Sequence, residues 1–175
     1  MKRVILILFL SSLVFGYGCS AENTPHSNNP VQEPGPAFSS EEKQRMALYI
    51  AVMKAAFQEE NGGNEFVAVD VDTLEGLSDP ARQAVLSALT DLSPNVYSLA
   101  EVKNDPTKFQ LDEQGRLVRS IDGTLLSVNI EEYAEDKAII TGVSWFGNLG
   151  AVFPEYETVF KDGEWHLKLI KMAIS

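Results

Sequence analysis

Apolar residues recur at helical spacing in the first part of the chain after residue 38. They stand three to four positions apart, at Met46, Tyr49, Ile50, Met53 and Phe57. This spacing places them along one face of a helix. Ser39 and Glu42 fit a capping box at its start, and the Asn-Gly-Gly-Asn run at 61–64 favours its end. The pattern therefore predicts an amphipathic helix between these two signals.

A second amphipathic helix is predicted after residue 77. Ser78 or Asp79 can cap it, and Pro80 at the helix start lacks only an N–H that would have no partner there. Its inner face is supplied by Val85, Leu86, Leu89 and Leu92. The apolar, valine-rich run at 66–71 between the two helices predicts a short strand.

The remainder of the chain alternates between apolar runs and turn signals. The runs predict strands at 96–102, 117–121, 124–133, 138–146, 152–160 and 165–174. Asp122-Gly123 and Asp162-Gly163 are two-residue hairpin signals. Consecutive hairpins indicate an antiparallel meander. Helices followed by a meander predict an α+β fold in which two amphipathic helices pack on a curved antiparallel sheet.

This order of elements resembles that of cystatin-like and NTF2-like folds, in which a first amphipathic helix fills the concavity of a bent sheet. The run from Tyr156 to Trp165, Tyr-Glu-Thr-Val-Phe-Lys-Asp-Gly-Glu-Trp, is similar in kind to the last hairpin of NTF2-like domains. The resemblance spans residues 39–175. It implies a pocket between helix and sheet, whose walls carry carboxylates and tyrosines in the enzymes of that group.

The N-terminus has a different pattern, with Lys2 and Arg3 followed by an apolar run at 4–14. This run has the length of a secretory signal core and falls short of the roughly 20 residues that a spanning helix needs. Gly18-Cys19 resembles the lipobox core of a bacterial lipoprotein leader. Gly16 departs from the branched apolar residue usual at its position. An ordinary signal peptide with a chance cysteine beside it is the alternative.

The lipoprotein resemblance implies that the leader, 1–18, is removed and that Cys19 becomes a lipidated N-terminus. The protein would then be held at the cell membrane on its extracytoplasmic side. Each buried acyl methylene contributes about 0.8 kcal/mol, so two or three chains give a stable anchor. Cys19 is also the only cysteine. Its acylation would exclude disulfides, thiol nucleophiles and sulfur-bound metals from the mature protein.

Composition divides the chain after the leader into two parts. Residues 19–38 are rich in Pro, Asn, Ser, Glu and Gly, which predicts a disordered tether. Residues 39–175 are enough for one domain with its own core. The net charge of −11 argues against nucleic acid as a partner, because phosphates repel an acidic surface.

Histidine offers one candidate for chemistry, because His26 falls in the predicted tether. His166 lies in the last predicted strand, on the face opposite to Leu167 and Leu169. A general base would need an orienting carboxylate, for which Glu157 or Glu164 is available. The alternative is a solvated strand histidine. No ligand spacing suggests a metal, and no motif suggests a cofactor.

Asp70 and Asp72 form a second candidate, since residues two apart in a strand point the same way. Such a pair could bind calcium or act as an acid–base couple. The alternative is a polar strand end that leads into a turn. The spacing leaves both interpretations open.

The densest aromatic stretch includes Trp145, Phe146 and Phe153. These side chains could line a pocket or stack on an apolar ligand, or they could belong to the core. Two aromatic residues in succession cannot both face inward on a regular strand. One of Trp145 and Phe146 is therefore expected outside the core or beneath a helix.

These observations support two functions. The first is a non-catalytic, membrane-tethered module that binds a protein, a peptide or a small ligand. The second is a small pocket enzyme on an NTF2-like scaffold, for which the residues to inspect are Asp70, Tyr133, Tyr156 and His166. A nutrient-importer receptor is disfavoured, because such receptors resemble two-lobed proteins about twice this length. The absence of a catalytic motif favours the binding module.

Overall fold

Eight strands form one mixed, mostly antiparallel sheet in the computed structural model, which describes residues 37–175. The predicted α+β class is confirmed. The predicted leader, Cys19 and nearly all of the tether lie outside the described residues. The helices are α1 (Ser40–Glu59), α2 (Asp79–Ala88) and α3 (Leu99–Val102). The strands are β1 (Phe66–Val69), β2 (Val96–Ser98), β3 (Phe109–Leu111), β4 (Leu117–Ser120), β5 (Gly123–Tyr133), β6 (Lys137–Gly147), β7 (Gly150–Lys161) and β8 (Glu164–Ile174).

The four long strands, β5 to β8, form the antiparallel meander that the sequence predicts. Its last turn has positive φ at both Asp162 (55°) and Gly163 (87°). Two-residue hairpins favour this conformation because its twist matches that of the strands. Over this half of the sheet, the strands and the last turn are therefore those that the sequence pattern predicts.

Strand β1 departs from the prediction of a wholly antiparallel sheet, because it runs parallel to both β2 and β5. Helix α2 lies between β1 and β2 in the chain. A connection through a helix returns the chain to the end from which it left, so the second strand becomes parallel to the first. The sheet is consequently mixed at this end.

The hairpin predicted at Asp122-Gly123 is wrong. Strand β4 pairs with β3 and β6, whereas β5 begins at Gly123 opposite Phe66 of β1. Asp122 has φ 56°, and a Cβ on Gly123 would clash with the Phe66 ring. The turn therefore brings the backbone against β1 instead of folding β5 back on β4.

The strand predicted at 96–102 is only partly correct, because it ends at Ser98 and continues as α3. The Glu101 carboxylate accepts hydrogen bonds from both the backbone N–H and the hydroxyl of Ser98, each at 2.8 Å. This arrangement nucleates a helix and is incompatible with an extended chain.

Helix α1 begins as predicted, with the Ser39 hydroxyl accepting a hydrogen bond from the Glu42 N–H at 3.1 Å. The other half of the predicted capping box does not form. The Glu42 carboxylate instead accepts from the N–H and the hydroxyl of Ser78, at 2.9 and 2.6 Å. Glu42 thus joins the start of α2 to the first turn of α1.

Two hydrophobic clusters lie on opposite faces of the sheet. Helices α1 and α2 cover one face, called here the helix face, where Leu48, Tyr49, Val52 and Met53 have no exposed surface. On the opposite face, Phe66, Ala68, Val102 and Phe109 form a smaller cluster. Strand β1 contributes to both clusters, which explains its continuous run of buried residues.

Candidate functional site

The residues singled out from the sequence occupy separate environments. Asp70 follows β1 and does not form part of it. Its carboxylate accepts a hydrogen bond from the Asp72 N–H at 3.3 Å and begins a 3-10 turn, Val71–Thr73. The expectation that Asp70 and Asp72 point the same way from a strand is therefore wrong, and Asp70 acts as a turn cap.

Tyr133 lies at the end of β5, with its ring against the guanidinium of Arg45 from α1. The Arg45 Cζ is 3.8 Å from the ring centroid, a cation–π contact, and Arg45 also binds Glu41 at 3.2 Å. Burial raises the pKa of the Tyr133 hydroxyl, although Arg45 opposes the shift. A Cβ on Gly76 would lie 3.2 Å from Arg45, so this arginine is held between two segments of the fold.

Tyr156 belongs to the core of the helix face and is 4% exposed. Its buried hydroxyl has no hydrogen-bond partner among the described residues. Burial raises its pKa to about 12, and Glu59 adds to the shift. A hydroxyl that stays protonated and faces the interior has no proton acceptor and no route to a substrate, so Tyr156 is in a poor position for catalysis.

Trp145 is half-buried on the face opposite to the helices, where it packs against the smaller cluster. It lies opposite Ala151 of β7 in the ladder. The expectation that Trp145 and Phe146 cannot both enter the core agrees with this position, since both are only partly buried. Trp145 mainly supports packing beneath α3 and β3.

His166 is exposed on the face of β8 opposite to Leu167, and it pairs with Val159 of β7. Neither Glu157 nor Glu164 forms a hydrogen bond or an ion pair with it in the described part of the chain. Glu157 binds Lys168 instead, at 2.9 Å. His166 therefore lacks the oriented carboxylate that a general base requires.

A cavity of about 440 Å³ lies at the start of α1 and next to the β5–β6 turn. It is lined by Ser40, Glu41, Gln44, Tyr133 and Glu135. Of the five sequence candidates, Tyr133 alone lines it. The Tyr133 hydroxyl is buried away from solvent, so the polar surface of the cavity comes mainly from the two glutamates and Gln44.

Within residues 37–175, the carboxyl groups with shifted pKa values are all shifted downwards. Hydrogen bonds from Lys108 and Thr107 lower the pKa of Asp105 to about 2. Hydrogen bonds also lower the pKa values of Glu42, Glu101, Asp112 and Glu157. These groups are stabilised as anions, which suits ion pairs and caps and does not suit a general acid.

Exposed apolar side chains concentrate on and around the last strand. Leu169 and Ile170 are each 45% exposed and Ile174 is 71% exposed on β8, and Val159 is 39% exposed on β7, opposite His166. Strand β8 pairs with β7 alone among the described residues, so its other backbone edge has no partner there. We call residues 164–174, with this unpaired side, the β8 edge.

The β8 edge also carries two lysines on one face. Lys168 lies opposite Glu157, with 2.9 Å between the charged atoms, and Lys171 lies opposite Glu155 at 3.7 Å. Ile170 is an extra residue between them, because Tyr156 pairs with Leu169 and Glu155 with Lys171. This β-bulge lets lysines three residues apart match glutamates two residues apart.

The sequence motifs did not single out Lys168, Ile170 or Lys171. The signal was the succession Leu169-Ile170, which breaks the alternation of apolar and polar residues that holds from Trp165 to Leu169. A break of this kind is typical of a bulge. The prediction of a regular strand at 165–174 does not include this bulge.

No family model, no curated protein and no solved structure matches this chain. In residues 37–175, no helix has the length and hydropathy needed to cross a membrane. The same residues contain no cluster of His, Cys, Asp or Glu arranged to hold a metal. Function must therefore be inferred from the chain itself.

Proposed function

We propose that this protein is a non-catalytic binding module, anchored by lipid at Cys19 on the extracytoplasmic side of the cell membrane. The leader pattern and the single cysteine support the anchor. The composition of residues 19–38 supports a tether that holds the folded part away from the lipid. The net charge of −11 supports a partner other than nucleic acid or an anionic membrane surface.

One observation mainly supports the binding function. The space beneath α1 is filled by side chains, whereas the outer backbone edge of β8 has no partner among the described residues. Leu48, Val52 and Met53 fill the region between helix and sheet with fully buried side chains. Of the five exposed large apolar residues in the described part of the chain, three, Leu169, Ile170 and Ile174, lie on the edge strand instead. Apolar side chains beside an unpaired backbone edge are typical of a surface that another polypeptide covers.

The small pocket enzyme remains the second candidate because of the cavity next to Tyr133. Its volume of about 440 Å³ is enough for a small substrate. An enzyme of this kind would use Glu135 or Glu41, which line the cavity, with the Tyr133 ring as part of its wall. Replacement of Glu135 by Gln, in an assay with the substrate of such an enzyme, would then abolish turnover, whereas it would leave partner binding at β8 unchanged.

We also propose a relationship to cystatin-like and NTF2-like domains. The long helix ahead of a four-stranded antiparallel meander supports it. The parallel strand β1 and the β3–β4 hairpin are additions to that plan. An experimental structure of the folded part, compared with both groups, tests this relationship through the connectivity of β5 to β8 and the placement of α1.

The anchor is tested by expressing the full chain and its Cys19→Ser variant in bacteria and analysing the membrane and soluble fractions. We expect the parent chain in the membrane fraction, with an N-terminal peptide that begins at Cys19 and carries the mass of acyl chains. The variant should lose that mass. A parent chain without lipid mass, or a variant that keeps it, would contradict the anchor.

The binding function is tested by crosslinking in intact cells of the native host, followed by affinity capture of the full chain. The expected result is one reproducible adduct that purified partner and purified chain reproduce in solution. The Cys19→Ser variant controls for adducts that depend only on membrane location. If purified components do not associate and the chain instead turns over a small molecule, the proposal is wrong.

A further inference from the structure

Opposite charges face each other across the last two strands of the sheet. On one face, Glu155 and Glu157 of β7 lie opposite Lys171 and Lys168 of β8. Opposite charges across neighbouring strands are stabilising, so carboxylates on a strand outside β8 would also be stabilised by these lysines. The lysines are exposed, so each retains capacity to pair with a second carboxylate.

The opposite side of β8 is apolar at the same edge. Leu169 and Ile174 lie opposite Tyr156 and Val152 of β7, on the helix face, yet both remain exposed at the margin that α1 does not cover. A strand added at this edge would place alternate side chains on the two faces. It would meet lysines on one face and apolar residues on the other.

A second copy of this chain is a poor occupant of the edge. Consider two β8 strands that pair antiparallel with each other. The longest register in which helix-face residues of one copy lie opposite helix-face residues of the other has Trp165 opposite Ile174. In that register, Lys168 of each copy lies opposite Lys171 of the other copy, so two pairs of like charges face each other. Like charges directly opposite each other are destabilising, and lysines on an edge strand discourage self-association.

We propose that the β8 edge binds an extended segment of a partner protein, a strand with acidic residues on one face and apolar residues on the other. The inference rests on the proposed binding function and assigns it a site and a ligand class. The carboxylates of the partner would pair with Lys168 and Lys171. Its backbone would hydrogen-bond with the free edge of β8, and its apolar residues would cover Leu169 and Ile174.

The test uses the purified full chain in detergent and a labelled peptide, Thr-Val-Glu-Val-Glu-Val-Thr. Fluorescence anisotropy measures its affinity at low salt. Two control peptides separate the contributions: one has lysine in place of both glutamates, and one keeps the glutamates but is N-methylated at alternate residues. We expect each control to bind at least tenfold more weakly, because one loses charge pairing and the other loses backbone donors.

Protein variants provide the matched comparison. Replacement of Lys168 and Lys171 together by Gln should weaken the acidic peptide about tenfold, and replacement by Glu should favour the lysine peptide. The control changes Lys43 and Lys103, exposed lysines outside the β7–β8 hairpin, to the same residues. Unfolding midpoints verify that all variants fold. If the double Glu variant does not fold, the double Gln variant still tests the role of the two lysines.

Three results would overturn the inference. If the N-methylated peptide binds as tightly as its parent, the contact is not strand addition. If the Lys168 and Lys171 variants bind like the control variants, the acidic ligand class is wrong. A partner captured equally by the parent and the Gln variant would leave the binding function standing and remove β8 as its site, so the two failures differ.

Discussion

At the scale of single residues, two tyrosines on the helix face have opposite hydrogen-bond environments. Tyr49 is fully buried, and its hydroxyl donates to the Glu75 carbonyl at 2.7 Å. The Tyr156 hydroxyl is buried as well but has no partner among the described residues. A buried hydroxyl stabilises the fold only when its hydrogen bond is made. The two should therefore respond differently to removal of the oxygen.

Replacement of each tyrosine by Phe tests this contrast. Tyr49→Phe should lower the free energy of unfolding by about 1–2 kcal/mol, because the Glu75 carbonyl loses its donor. Tyr156→Phe should raise it by about 1 kcal/mol, because a desolvated hydroxyl is removed. Urea unfolding monitored by circular dichroism measures both. A loss of stability of equal size in the two variants would contradict the account.

Tyr156 also predicts how stability depends on alkaline pH. Burial raises its pKa to about 12, above the ordinary value near 10, so the unfolded chain releases this proton at lower pH than the folded chain. Ionisation of Tyr156 therefore leaves the free energy of unfolding unchanged below pH 10 and lowers it progressively as pH rises towards 12. Tyr49 and Tyr133 are shifted in the same direction.

The measurement is the free energy of unfolding at several pH values from 8 to 12. It should fall above pH 10 in the parent chain, and less steeply in Tyr156→Phe. The Lys43 and Lys103 variants serve as controls for net charge. Identical slopes in the parent and in Tyr156→Phe would show that the hydroxyl ionises as easily in the folded chain as in the unfolded one.

At the scale of elements, the contact between α1 and β6 depends on a glycine. A Cβ on Gly142 would lie 2.9 Å from the Ala56 Cβ and 3.1 Å from the Val52 carbonyl oxygen. Helix α1 therefore rests directly on the backbone of β6. Gly147, near the end of the same strand, would bring its Cβ no closer than 3.5 Å to Arg119.

Gly142→Ala should consequently destabilise the fold by about 1–3 kcal/mol, since the helix must shift to admit a methyl group. Gly147→Ala is the matched control, with the same change in the same strand at a site with room. Thermal unfolding compares the two. The close packing of α1 would be refuted if both variants unfolded at the parent temperature.

Local sequence signals predict where individual helices and strands lie better than they predict which strands pair with each other. Helices α1 and α2 and strands β5 to β8 follow from periodicity and from turn residues, which act within a few positions. The parallel pairing of β1 could not be read in the same way, because alternation does not reveal which strand lies alongside. Asp122-Gly123 has the residues of a hairpin turn, yet contact with Phe66 directs the chain elsewhere. The Ser98–Glu101 capping box was a legible signal for α3.

At the scale of the whole molecule, the same limit applies to the candidate site. His166 and Asp70 carry reactive groups, but the fold gives neither one a catalytic partner. Lys168 and Lys171 gain importance only because β8 is the last strand of the sheet, and sequence does not reveal which strand ends a sheet. The proposed role thus combines an anchor predicted from the N-terminus with an edge visible only in the fold.

Photo-crosslinking from the β8 edge in intact cells shows whether a partner protein lies against this strand. A photoreactive amino acid replaces Ile170, which is 45% exposed on the edge, or Gln58, which is exposed on α1, as the control. We expect one protein adduct from position 170, weakened when Lys168 and Lys171 become Gln, and none from position 58. No adduct from position 170, or equal adducts from both positions, would contradict this expectation.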